Sequence, residues 1–154
     1  MNVKDVFSKN NIHIQEIPYA CGPSTLLNVL HLKGDSSHSE QELVELCKAK
    51  PVLGTSNENL IKAAKQVGLK LVEEKSNALV QDIERNIDAG VSVIVNYFHA
   101  FAGEGHYAVV TNYDNKALYL VDSSFGLLRL RKEDFEKFWY NSDKTIYGWY
   151  AAVV

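Results

Sequence analysis

The chain has 154 residues, 46% of them apolar, and a net charge of −3, which suits one domain with a packed core over 1–154, a helical half to about residue 90 and a sheet half from about 91. The acidic balance and the lack of a basic run leave no electrostatic footprint for nucleic acid, and no stretch approaches the ~20 apolar residues of a membrane helix. Met1-Asn2-Val3-Lys4-Asp5 opens no apolar run of the secretory kind, so the expectation is a cytoplasmic protein whose two cysteines, Cys21 and Cys47, are thiols.

In chain order, Cys21-Gly22-Pro23 opens an apolar segment through Leu26, Leu27, Val29, Leu30 and Leu32. Pro23 suits a first helical turn and Gly34 a stop. Ser39 with Glu42 forms a capping-box pattern ahead of Leu43, Leu46 and Cys47. Thr55 or Ser56 caps a third predicted helix carrying Leu60, Ile61, Ala64 and Val67, ended by Gly68. Asn77 caps a fourth, with Leu79, Val80, Ile83 and Ile87, ended by Gly90. Beyond residue 90 the periodicity changes. Strands are predicted at about 91–97, 106–112, 117–122, 127–131 and 146–152, with a short helix from Asp134 to Trp139. Four helices followed by about five antiparallel strands describe an α+β fold with a cleft between the halves.

Cys21 is the nucleophile candidate. A helix that begins at the sulfur offers unpaired backbone N–H groups and a positive dipole end, which favour negative charge there. Gly22 leaves room beside the sulfur. The same pattern also fits a small buried cysteine at the edge of a core. Cys47, beside Leu43 and Leu46 on an apolar helix face, is read as structural.

Five histidines compete to be the base: His13, His31, His38, His99 and His106. His106 follows Gly103-Glu104-Gly105 and opens the run Tyr107-Ala108-Val109-Val110, so a strand mouth can aim its imidazole at a cleft. A hairpin centred on Asp114 opposes His106 to Asp122, Ala108 to Leu120 and Val110 to Leu118. Opposed residues share a face with Cβ atoms about 4.5–5.5 Å apart, close enough for an imidazole–carboxylate hydrogen bond, whereas a one-residue slip separates them. The competing reading is a solvent-exposed pair of little energetic value. Glu104, Phe98, Phe101, Tyr97 and Trp139 are equally suited to a cleft or to core and rim. The five histidines and two cysteines show no zinc-ligand spacing, and no cofactor is expected.

Three segments together resemble a known family. They are Gln15-x-x-x-x-x-Cys21-Gly22-Pro23-Ser24-x-Leu26, then Gly54-x-Ser56-x-x-x-Leu60-x-x-Ala63-Ala64-x-x-x-Gly68-Leu69, then Gly105-His106-Tyr107-Ala108-Val109-Val110 with Leu120-Val121-Asp122 and Gly126. They are similar to the peptidase domain of bacteriocin-processing transporters, the double-glycine-leader peptidases, and to stand-alone relatives in the papain-like clan. The resemblance implies a papain-like cysteine peptidase fold, with Cys21, His106 and Asp122 as the catalytic set and Gln15 lining the oxyanion hole. It implies a peptide or protein substrate cut through a thioester, with small residues such as Gly-Gly before the scissile bond as the first to try. Ala20 stands where transporter-borne members usually carry aspartate, and Ser123 where proline is common. Both departures point to a stand-alone relative. An acyltransferase with the same triad, and a peptidase-like binding module without turnover, are the alternatives.

Overall fold

A computed structural model describes residues 12–100 and 102–154; the predicted features at Met1–Asp5 and Phe101 lie outside the described residues. The elements run α1 (Cys21–Leu32), α2 (Glu40–Leu46), α3 (Asn57–Gln66), β1 (Leu71–Lys75), α4 (Val80–Asp88), β2 (Ser92–His99), β3 (Glu104–Tyr113), β4 (Ala117–Asp122), β5 (Gly126–Arg131), α5 (Lys132–Phe138) and β6 (Tyr150–Val153). The six strands form one antiparallel sheet in the order β1-β6-β2-β3-β4-β5.

The apolar runs in β2 and β3 are continuous because both faces of the sheet are covered. On one face, Ile94, Tyr107, Val109 and Val121 pack with Leu26, Val29 and Leu30 of α1, Leu43 of α2 and Leu60 of α3. On the other, Val93, Val95, Tyr97, Ala108, Val110 and Leu120 pack with Val80 and Ile83 of α4 and Phe135 of α5. α1 is buried without interruption from Gly22 to Leu30, so it is a core helix apolar on nearly every side rather than an amphipathic surface helix. That burial fixes Cys21 at the helix start. Gly22 suits the close approach there, since a Cβ at that position would stand 3.0 Å from Thr55 Cβ.

The architecture is the expected α+β arrangement of helices and an antiparallel sheet, with three local corrections. β1 was not anticipated: Leu71-Val72-Glu73-Glu74-Lys75 is a half-exposed, charged edge strand, and its charges discourage further pairing while obscuring the alternation that marks a strand. The first half is therefore not wholly helical. The fourth helix is capped at Leu79 rather than Asn77, which sits at φ 54° in the turn before it. Cys47 is the C-terminal cap of α2 rather than a mid-helix residue.

The β3–β4 register also departs from the expected one. Val110 faces Leu120, and Val109 faces Val121, two residues along from the hairpin drawn around Asp114. The turn lies further on, closed by Asp114 N–H to the Ala117 carbonyl at 3.0 Å. Next to it Tyr113 faces Leu118 and Asn112 faces Tyr119, and Thr111 is the extra residue of a bulge before Val110 resumes the ladder. Among the described residues no helix is long and apolar enough to cross a membrane.

Candidate active site

Gln15, Cys21 and His106 line one cavity of about 550 Å³, together with Tyr19, the loop Pro51–Thr55, Asn96, His99, Glu104, Gly105, Ser124, Phe125 and Ser142. Cys21 arrives from the α1 N-terminus and is partly exposed, while Cys47 is 0% exposed within the core. Burial, and then the charge of Cys21, push the Cys47 thiol up to about 12, so it stays protonated and inert.

His106 stands near the start of β3, 7% exposed, directly opposite Tyr97 on β2. Its Nε2 donates to Oδ1 of Asp122 at 3.0 Å. Asp122 ends β4 and is 0% exposed. A buried carboxylate needs partners, and this one has four. Oδ1 also accepts the N–H groups of Ser124 at 2.8 Å and Phe125 at 3.3 Å in the β4–β5 turn, and Oδ2 accepts the Tyr97 hydroxyl at 2.7 Å.

The electrostatics follow from that bonding. Burial disfavours charge on both partners. For His106 it is outweighed by the hydrogen bonds to Asp122 and Cys21 and by their charges, which raise the imidazole pKa to about 10. For Asp122 burial is outweighed by the hydrogen bond and charge of His106 and by the Tyr97 hydroxyl, which hold the carboxyl below its ordinary range. Burial and then the Asp122 charge drive the Tyr97 phenol upward, so it remains a donor. Nε2 is committed to Asp122, which leaves Nδ1 as the ring atom for the thiol.

Gln15 is held from both sides. Its backbone N–H donates to the Ser123 carbonyl at 2.8 Å, and its Oε1 accepts the hydroxyls of Ser123 at 2.7 Å and Ser124 at 3.2 Å. Nε2 donates to the carbonyls of Ile17 and Pro18, both at 3.1 Å. Ser123 thus supplies a hydroxyl that orients the glutamine.

Of the rival histidines, His13 lies 2.7 Å from Glu40 and His38 3.0 Å from Glu42, while His31 lies in the last turn of α1. His99 shares the cavity and stacks on Phe125, ring centroids 4.7 Å apart. Burial and then the His106 charge lower its pKa. Glu104 lines the cavity, Trp139 is core with Nε1 donating to the Trp149 carbonyl at 2.9 Å, and Phe98 packs on Tyr140. Tyr97 is neither rim nor inert core: it lies beneath the site as the partner of Asp122. Its parity in β2, opposite His106, was the signal that could have placed it. Among the described residues no group of three or more His, Cys, Asp or Glu is arranged to hold a metal ion.

The family model for the peptidase C39 family matches residues 9–144. An uncharacterized protein of Methanothermobacter marburgensis is 32% identical over 123 residues, 80% of this chain and 78% of that one. The peptidase domain of Streptococcus ComA, a bifunctional ABC transporter involved in quorum sensing, superposes with a TM-score of 0.71 at 24% identity, covering 92% of this chain and 96% of that one. A double glycine motif protease from an AMS/PCAT transporter, solved in complex with the leader peptide, superposes with a TM-score of 0.66 at 18% identity, covering 92% and 89%.

Proposed function

This chain belongs to the peptidase C39 family, and from that premise we propose that it is a cysteine peptidase which cleaves a peptide bond through a thioester on Cys21. The observation that carries the reading is the buried His106–Asp122 pair, 3.0 Å apart, opening on the cavity that Cys21 also lines. With the imidazole pKa raised to about 10, His106 holds a positive charge on the cavity wall at neutral pH, where it favours the nucleophilic form of the sulfur.

The thiolate attacks the scissile carbonyl carbon. The oxyanion accepts the Cys21 backbone N–H, free at the α1 start, and the Gln15 amide, which exchanges one of its carbonyl partners for the developing charge. The imidazolium gives its proton to the leaving amine, and the acyl group remains on sulfur. Neutral His106 then takes a proton from water, which displaces the thiolate and releases the carboxylate product. Asp122, locked by Tyr97 and the turn amides, keeps Nδ1 of the ring free for the sulfur throughout.

A peptide with small residues before the scissile bond is the substrate class we favour. The leader-peptide complex of the double glycine motif protease supports it. The test is a peptide-library cleavage screen of the wild-type protein, with Gly-Gly peptides included. Cleavage after small residues is the expected result. Release of the acyl group onto an added amine in preference to water would reassign the activity to acyl transfer.

A further inference from the structure

The segment that carries Gln15 has little secondary structure of its own, yet it must present an amide to the reacting carbonyl. Its geometry is imposed from α2. Glu40, 9% exposed, stands one residue after the Ser39 cap. One carboxylate oxygen accepts His13 Nε2 at 2.7 Å, the Glu16 N–H at 2.9 Å and the Ser24 hydroxyl at 3.0 Å. The other accepts the Ile17 N–H at 2.8 Å and that of Glu16 at 3.2 Å. The two backbone donors flank Gln15 on its C-terminal side, and Ile17 also gives its carbonyl to Gln15 Nε2. Ser24 lies in the first turn of α1, three residues beyond Cys21.

We propose that Glu40 is a positioning residue for the oxyanion hole: its buried carboxylate ties the Gln15 segment to the first turn of the helix that starts at Cys21. The assignment rests on the peptidase reading given above. An acid is suited to the task where an amide is not. Four donors converge on it, and only a carboxylate offers two oxygens with acceptor capacity alone. Burial disfavours its charge, but the hydrogen bonds from His13, Glu16, Ile17 and Ser24 outweigh burial and keep it ionised. Glutamine would aim an NH₂ at an N–H or a hydroxyl. Glu40 touches no reacting atom, so its effect passes through Gln15.

The test uses Gln15→Ala, Glu40→Gln, their double variant, and Ser24→Ala as the milder change that keeps the carboxylate. With a cleaved peptide, Glu40→Gln should lower kcat by up to about 100-fold with KM little changed, because a small misplacement of a catalytic group is costly in the transition state. Ser24→Ala should lower it less. In the Gln15→Ala background Glu40→Gln should add nothing further, and Cys21 alkylation by iodoacetamide should keep its wild-type rate in all four. Effects of Glu40→Gln and Gln15→Ala that multiply would overturn the proposal, as would wild-type turnover in Glu40→Gln. If the wild-type protein cleaves no peptide, the peptidase reading fails, and nuclear magnetic resonance decides the positioning claim. The Gln15 side-chain amide signals should move in both Glu40→Gln and Ser24→Ala, and unchanged signals overturn it.

Discussion

Asp122 reaches His106 from a diagonal position across the β3–β4 ladder, Oδ1 to Nε2 3.0 Å, and the two share a face because Thr111 is bulged out between Val110 and Asn112. Continued without the bulge, the register next to the turn, Tyr113 with Leu118 and Asn112 with Tyr119, would bring Asp122 to the opposite face from His106. Deleting Thr111 removes the extra residue without moving the pairing, since Asn112 still faces Tyr119 and Val110 still faces Leu120, so the pair should survive in a regular hairpin. Titration of the His106 ring by nuclear magnetic resonance should then show a pKa still raised to about 10 rather than the ordinary value of about 6.5. A fall to the ordinary value would show that the bulge itself, and not the register on either side of it, holds the pair.

This relationship marks the limit of what the residues reveal by themselves. The pairing of His106 with Asp122 was legible from two apolar runs around a polar turn, but the hairpin drawn through them was wrong in two ways that cancel. The turn lies beyond Asp114, and the bulge restores the parity. Bulges leave no reliable mark in one sequence, since Thr111 is as good a strand residue as its neighbours. α1 was legible because Pro23, Gly34 and a dense apolar run agree, and β1 was not because its surface charges mask its period. Glu40 carries no signal of its own in the sequence. Its role is a convergence of donors from 13–17 and from α1, which only the folded chain brings together.

Tyr97→Phe should fold normally, since the ring stays in place, but leave Oδ2 of Asp122 without its 2.7 Å donor. A hydrogen bond to a charged group contributes about 1.5–3 kcal/mol, so a loss of that order is expected in urea unfolding. The Asp122 carboxyl should become easier to protonate, moving the acid limb of kcat/KM to higher pH. An unmoved acid limb would show that Tyr97 only packs.

Stability should fall as pH rises through the alkaline range. His106 has a folded pKa of about 10 against about 6.5 in the unfolded chain, so the folded state binds the extra proton between these values. The contribution is fully present below about 6.5 and lost by the time pH passes through about 10. Asp122, lowered on folding, acts at the other end: its contribution is present above its unfolded pKa and lost as pH falls through the folded value. Urea midpoints measured across pH 6.5 to 10 should decline for the wild-type protein and decline less for Asp122→Asn. Parallel curves would contradict the assigned pair.

Iodoacetamide at neutral pH should alkylate Cys21 and spare Cys47, whose thiol is fully buried and pushed up to about 12. Peptide mapping by mass spectrometry reads the sites directly. Labelling of Cys47 first, or of both at equal rates, would be incompatible with the burial that distinguishes them.

Gln15→Ala should lower kcat by about 10²–10³ with a small effect on KM, the loss typical of one oxyanion donor. Ser123→Ala should have a smaller effect in the same direction, because it removes the 2.7 Å hydroxyl that orients the Gln15 amide. A change in KM alone would place Gln15 in substrate binding rather than in the transition state.

Whether Cys21 is the nucleophile is decided by the rate at which Cys21→Ala turns over a peptide the wild-type protein cleaves. No detectable cleavage by this variant is expected, because no other group can form the thioester. Cleavage by Cys21→Ala at the wild-type rate would contradict that role.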